Sequence, residues 1–294
     1  MNPLIISHLD KSFKKKQVLK DISFVLEGPH IYGLLGRNGS GKSTLFNLIN
    51  NRLTPDRGQV LLDGKPVLED DDGLEQLFLA NHTTLMRKDE KGKVKKYIRL
   101  ANQFYPDFDQ ELCEHLIRVF DLNVNTRIDK LSTGYQTIFN IILALCVPAS
   151  FIFLDEPTLG LDANHREIFY KELLTTFAKR PRTFIISTHL IDELAQIMDQ
   201  VILLDQGQIK LADSVENLLA HSYALTGNQE DIEAFMSNYH VIGSERIGNQ
   251  FTVYIYDTKE LTDLPDTIQK SPIDLQRVFI ELTTTRGGLD YHEA

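Results

Sequence analysis

The sequence predicts an α/β fold built around a parallel sheet, and two stretches carry that prediction. Gly36-Arg37-Asn38-Gly39-Ser40-Gly41-Lys42-Ser43-Thr44 stands between an apolar run at residues 31–35 and a helical pattern through Leu45, Leu48 and Ile49. Strand, glycine loop and helix follow one another. Phe151-Ile152-Phe153-Leu154-Asp155-Glu156 is a continuous apolar run that ends in two acids. Such a strand must be buried on both faces, as in a parallel sheet covered by helices.

Each stretch implies chemistry. Glycines let successive backbone N–H groups turn inward around a phosphate chain, and the start of the following helix adds about half a positive charge. A triphosphate fits such a loop, with Lys42 reaching the outer phosphates and the Ser43 hydroxyl ligating the Mg2+ that travels with the nucleotide. A glycine-rich turn without a ligand is the plainer alternative, and the flanking strand and helix argue against it. Acids at the C-terminal end of a central strand lie where open α/β sheets bind ligands. Asp155 is therefore expected in the Mg2+ shell and Glu156 beside the attacking water, with ordinary solvation of a strand end as the alternative.

In chain order, short strands are expected at residues 4–6 and 22–26, the second closing in the turn Glu27-Gly28-Pro29. Between them lies a basic loop, residues 11–19, with one aromatic. Phe13 is either a core anchor or a platform on which a base stacks with Val18 against its ribose; a base needs an apolar surface beside the loop that holds its phosphates, which favours stacking. A turn cluster at residues 53–58 precedes strands at 59–64 and 76–80. From about residue 82 to 147 the pattern is helical, with Leu112, Leu116, Ile117 and Phe120 on one face, and reads as a subdomain inserted in the sheet domain. Its basic residues Arg87, Lys88, Lys91, Lys93, Lys95, Lys96 and Arg99 form a solvated surface or a contact for anionic lipid headgroups. A helix at 164–177, a strand at 183–187, a helix at 191–198 and strands at 201–205 and 208–211 complete the domain. His189 follows the strand next after the Asp-Glu strand; parallel neighbours would bring both to one sheet edge, where it could sense phosphate.

Residues 215–294 read as a separate α+β unit, with strands at 222–226 and 251–256 and helices at 229–239 and 275–282. This unit carries 13 acidic against 5 basic residues, most of the chain's net charge of -10. Phosphate backbones require a positive surface, so no nucleic-acid partner is expected. The chain's 294 residues suffice for a core without metals or disulfides, and the two cysteines, Cys113 and Cys146, fit packing roles in a reducing compartment. No signal peptide is expected at residues 1–10, and the longest apolar run, 138–147, is shorter than the about 20 residues of a membrane span.

Leu131-Ser132-Thr133-Gly134-Tyr135-Gln136 then heads a strongly helical run, with Ser132 lying 23 residues before Asp155. Alone it is a serine N-cap. In this position it resembles the signature L-S-G-G-Q of the ATP-binding cassette (ABC) family, and the likeness extends over most of the first 214 residues. The resemblance implies a P-loop NTPase (RecA-like) core, an antiparallel β subdomain, the inserted helical subdomain, and the small α+β C-terminal appendage, with domains at 1–214 and 215–294. It implies ATP and Mg2+ as cofactors. Gly36, Arg37, Asn38, Gly39, Ser40, Gly41, Lys42, Ser43 and Thr44 match the Walker A loop, Asp155 and Glu156 close the Walker B strand, Leu159-Gly160-Leu161-Asp162 matches the D-loop with Asp162 in dimer communication, His189 the switch histidine, and Phe13 the adenine platform.

Two such subunits, alike or different, are expected to pair head to tail, so that Ser132 and Gly134 of one face the γ-phosphate held by Lys42 of the other. Thr133 replaces a glycine and Tyr135 the glutamine of the signature, and the loop's altered residues are where the rate is expected to be set. Asn81 aligns with the glutamine that would touch Mg2+ and is one methylene shorter. Residues 274–283 resemble the ending of ATPase subunits from bacterial export systems. The expectation is therefore an ATP-hydrolysing subunit of an exporter, on the cytoplasmic face of the cell membrane beneath separate permease subunits. Alternatives are a soluble cassette ATPase acting on ribosomes or DNA, and a regulatory cassette with weak hydrolysis.

Overall fold

The computed structural model describes residues 2–81, 92–236, 239–259, 261 and 264–284. Arg87, Lys88 and Lys91 of the basic stretch lie outside the described residues.

The chain opens with an antiparallel sheet. Strands β1 (Leu4–Phe13) and β2 (Lys16–Leu26) pair from Leu4↔Leu26 to Phe13↔Lys16, so the stretch expected as a basic loop is a tight hairpin. Lys14 makes the turn at φ +55°, and register shifts along the pair break the alternation from which a strand is recognised. Later strands β4 (Arg57–Leu62) and β5 (Lys65–Pro66) extend this sheet in the order β2-β1-β4-β5.

The second sheet is the predicted parallel one. It contains β3 (Ile31–Leu35), followed by helix α1 (Lys42–Ile49), then β6 (Leu77–Ala80) after the short α2 (Asp71–Glu75), β7 (Phe151–Asp155), β8 (Thr183–Thr188), β9 (Gln200–Asp205) and β10 (Gln208–Ser214). Their order is β10-β9-β3-β8-β7-β6, parallel except for β10 against β9. β8 is thus inserted between the two strands that carry the glycine loop and the acids. Burying Phe153 and Phe46, whose rings meet edge to face at 5.3 Å, stabilises the α1–β7 contact by about 2–3 kcal/mol per side chain.

Among the described residues the insertion contains the helices α3 (Val94–Phe104), α4 (Gln110–Val119) and α5 (Thr133–Cys146). Asp109 caps α4 by accepting the Leu112 N–H at 2.9 Å. Cys113 and Cys146 are buried, free and in mutual contact, as packing residues should be. Helix α6 (Ala163–Lys179) follows β7, and the helix expected at 191–198 is a short α7 (Ile191–Leu194) continued by turns.

Beyond β10, α8 (Val215–Ala220) leads into a third sheet ordered β12-β13-β11-β14, from β11 (Ser222–Gly227), β12 (Val241–Ile247), β13 (Gln250–Tyr256) and β14 (Gln269–Pro272). Helix α9 (Gln229–Met236) covers one face, packing Ile232 on Leu225 and Val253. The last helix, α10 (Leu275–Thr283), lies on the other face, where the Arg277 guanidinium sits 4.6 Å from the Tyr254 ring centroid. Leu275 and Val278 of α10 turn away from that sheet and join the core shared by the parallel sheet and the helical insertion. Among the described residues no helix is long and apolar enough to cross a membrane.

Candidate active site

Parallel pairing gathers the predicted residues at one sheet edge. Leu35, the last residue before the glycine loop, pairs with Thr188; Ser187 pairs with Asp155; and Leu154 pairs with Ala80, which precedes Asn81. Loop, acids, His189 and Asn81 therefore leave the same ends of four neighbouring strands.

The loop runs from Gly36 into α1. Gly41, the helix N-cap, has φ +112°, a conformation open to glycine and costly to other residues, and it supplies no side chain to occupy the first helical amides. Those amides stay available to an anion. Lys42 is 7% exposed, and its ammonium donates to the Gly36 carbonyl at 2.7 Å and the Arg37 carbonyl at 3.4 Å. Burial pushes this ammonium below its ordinary pKa, opposed by the carboxylates of Glu156 and Asp155. A phosphate would replace those carbonyls with a stronger partner. The buried Ser40 hydroxyl has no hydrogen-bond partner, which suits the same occupant. Ser43 is exposed at the start of α1.

Glu156 adopts φ +51°, a left-handed backbone that costs a non-glycine residue about 1–2 kcal/mol. The turn carries its carboxylate to His189, whose Nδ1 lies 2.8 Å from Glu156 Oε2. Asn81 is buried, accepts the Asn140 amide at 3.2 Å through its carbonyl, and lines a small cavity together with Asp155, Glu156 and Thr137. Phe13 is 45% exposed at the hairpin end, so the core-anchor alternative does not hold, and the Lys11 ammonium lies 5.6 Å from its ring centroid. Val18 lies beside Gly41.

Ser132 and Gly134 are placed elsewhere. Ser132 caps α5, accepting the Tyr135 N–H at 3.4 Å, and the turn packs against residues 159–162 of its own chain. A Cβ on Gly134 would come within 2.6 Å of the Gly160 carbonyl, so only glycine permits this approach. Thr137 donates to the Leu159 carbonyl at 2.9 Å. The Tyr135 ring meets the edge of His165 at 6.2 Å, and His165 contacts Asp162, the N-cap of α6, through its backbone at 2.8 Å and its ring at 3.0 Å. That N–H contact holds the Asp162 carboxyl below the usual carboxylate range. Tyr135 therefore packs on the side of the turn that faces Asp162 and His165, a placement its sequence position does not reveal.

Two further contacts escaped sequence reasoning. The Ser187 hydroxyl, in the run Ser187-Thr188-His189, donates to Asp155 Oδ1 at 2.7 Å and accepts the Glu156 N–H at 3.0 Å. Its faint trace in the sequence is a small polar residue directly after the apolar run Phe184-Ile185-Ile186. The end of α10 reaches the glycine loop, with Arg37 Nη2 at 3.4 Å from the Thr284 hydroxyl, and the Gln276 amide, oriented to donate, faces Asp192 of α7. Contacts across more than 80 residues leave no local pattern.

Residues 19–159 match the family described as ABC transporter. The methionine import ATP-binding protein MetN of Clostridium acetobutylicum is 30% identical over 225 residues, 72% of this chain and 69% of that protein. The Nod factor export ATP-binding protein I of Rhizobium sp. (strain N33) is 25% identical over 303 residues, covering 95% of this chain and 96% of that protein. Among solved structures, an ATP binding subunit of an ABC transporter superposes with a TM-score of 0.65 at 23% identity over 74% of this chain and 92% of the other. That likeness establishes the P-loop NTPase fold.

Proposed function

This chain belongs to the ABC transporter family as an ATP-binding subunit that hydrolyses ATP to drive transport, and from that premise we propose a head-to-tail pair of such subunits energising an exporter. The observation that carries the reading is the convergence of the glycine loop, Asp155, Glu156 and His189 at one sheet edge, while Ser132 and Gly134 belong to a turn packed against Gly160 and Leu161. A second copy, identical or not, supplies the missing turn.

The residues fit Mg2+·ATP. The exposed Ser43 hydroxyl, the Asp155 carboxylate and the Asn81 amide are hard oxygen donors, and the Ser40 hydroxyl and the first amides of α1 await a phosphate. Mg2+, when bound, would neutralise charge on the β- and γ-phosphate oxygens. Lys42 leaves the Gly36 carbonyl for the γ-phosphate. Glu156, held toward His189, polarises the attacking water, and His189 presents its ring at the phosphate edge. Phe13 and Val18 receive the base and ribose. Ser132 and the Gly134 N–H of the other copy close on the γ-phosphate from outside, and Asp162 contacts the partner near its bound nucleotide. ATP then favours the closed pair and ADP the open one, and that difference in affinity is what drives the permease.

We assign residues 1–214 to the ATPase domain and 215–294 to an accessory domain, and place the protein at the cytoplasmic face of the membrane, bound to separate membrane-spanning subunits. Export is supported by the Nod factor export relative, whose similarity extends through nearly the whole chain including the accessory part; the import relative covers 72% of it. The test is Glu156→Gln. Hydrolysis, measured with the membrane subunits present, is expected to fall by about 10^2–10^4-fold, and ATP should shift the variant to a dimer in size-exclusion chromatography. Normal turnover in this variant removes Glu156 from the mechanism.

A further inference from the structure

Ser187 occupies a position that neither the glycine loop nor the signature accounts for. It is fully buried near the C-terminal end of β8, between the strands that carry the loop and the acids. Its hydroxyl makes two bonds at once, to Asp155 Oδ1 at 2.7 Å and to the Glu156 N–H at 3.0 Å. An amide N–H can only donate and an ionised carboxylate can only accept, so the hydroxyl's single proton points at Asp155 and a lone pair at Glu156. The Ser187 carbonyl also accepts the Glu156 N–H, at 3.2 Å.

One side chain therefore restrains two neighbouring acids with different tasks. Its proton occupies Oδ1 of Asp155 and leaves Oδ2 as the oxygen free to face a cation. Its lone pair pins the first atom of the left-handed Glu156 residue, whose φ of +51° turns the carboxylate to His189. Hydrogen bonds to metal-ligating groups commonly set ligand orientation, and losing one typically costs 10–100-fold in metal affinity or activity.

We propose that Ser187 is a positioning residue of the ATPase site, aiming Asp155 at the Mg2+ of Mg2+·ATP and Glu156 at the attacking water through one bridging hydroxyl. The inference rests on the roles given above to Asp155 and Glu156. It goes beyond them because Ser187 touches neither nucleotide nor metal. Alanine at this position preserves the backbone pairing of β8 with β7 and removes only the bridge; threonine keeps the hydroxyl.

The test uses the full chain and a fluorescent ATP analogue, titrated with and without Mg2+, alongside thermal melts. In Ser187→Ala the gain in nucleotide affinity brought by Mg2+ is expected to shrink by about tenfold, with Mg2+-free affinity unchanged. In the complex with the membrane subunits, the Mg2+ concentration for half-maximal hydrolysis should rise by a similar factor, and amide hydrogen exchange at Glu156 should quicken. Ser187→Thr should restore all three if its melt matches the wild type. A wild-type Mg2+ gain in Ser187→Ala overturns the proposal, and so does an equal loss of affinity with and without Mg2+, which marks a purely structural residue. Absence of any Mg2+ gain in the wild type is a different result: it overturns the Mg2+ assignment of Asp155, and the inference with it.

Discussion

Two helix N-termini carry the phosphate contacts proposed above, and they are built differently. At α1 the cap is a glycine with φ +112°, no side chain occupies the first amides, and a buried lysine stands within the first turn. At α5 the cap is Ser132, which already accepts the Tyr135 N–H, and residues 133–136 carry no charge. A helix end with its own cation and unfilled amides can hold a polyanion alone. One with a capped turn and no cation adds to a site whose charge is already balanced elsewhere. In the paired arrangement proposed above, the first terminus therefore acts as the binding site and the second as the closing surface.

Substitutions can separate these roles. Lys42→Ala removes the buried ammonium at the first terminus and should lower hydrolysis by about 10^3-fold and ATP affinity by about 10–100-fold, read by steady-state turnover and equilibrium titration. Ser132→Ala should lower hydrolysis by about 10–100-fold while leaving the affinity of the single chain for ATP unchanged. An equal loss of single-chain affinity at both positions would erase the distinction between binding and closing. The smallest effect is expected from Thr133→Gly combined with Tyr135→Gln, which restores the usual signature. It should raise turnover by a factor of about two to five, equivalent to about 0.5–1 kcal/mol of transition-state contact. The same pair is expected to loosen the D-loop, because Thr133 lies against Gly160 and Tyr135 against His165. Faster hydrogen exchange at residues 159–162 would register that change.

The two termini also differed in how legible they were. Gly36 to Thr44 could be read outright, since its glycines, lysine and hydroxyls are local and their spacing has few other uses. Ser132 looked like any N-cap until its distance from Asp155 was considered. The β1–β2 hairpin reads as a loop over residues 11–19 because its register shifts and the left-handed His8, Lys14 and Asp21 interrupt strict alternation. Strands β12 and β14 leave little trace: Val241-Ile242-Gly243-Ser244-Glu245-Arg246-Ile247 and Gln269-Lys270-Ser271-Pro272 lie at the edges of their sheet, where no residue is fully buried and polar residues interrupt the apolar pattern. Ser187 leaves only the faint trace of a small polar residue near a strand end, because its partners lie 31 and 32 residues away in sequence.

Local sequence specifies which groups are present for the chemistry: a glycine loop before a helix, two acids and a histidine at strand ends, and a serine-capped turn. Those depend on a few adjacent residues and on backbone preferences that act locally. Which of them meet depends on how distant segments pair and dock. The parallel order β3-β8-β7-β6 sets Leu35, Ser187, Asp155 and Asn81 along one edge, and α10 returns to the glycine loop through the Arg37–Thr284 contact. Strand order and helix docking are settled by burial of apolar area across distant segments, which is non-directional and leaves no mark at any single position. That is why the residues of this site could be named from the chain, while the bridge that joins its two acids could not.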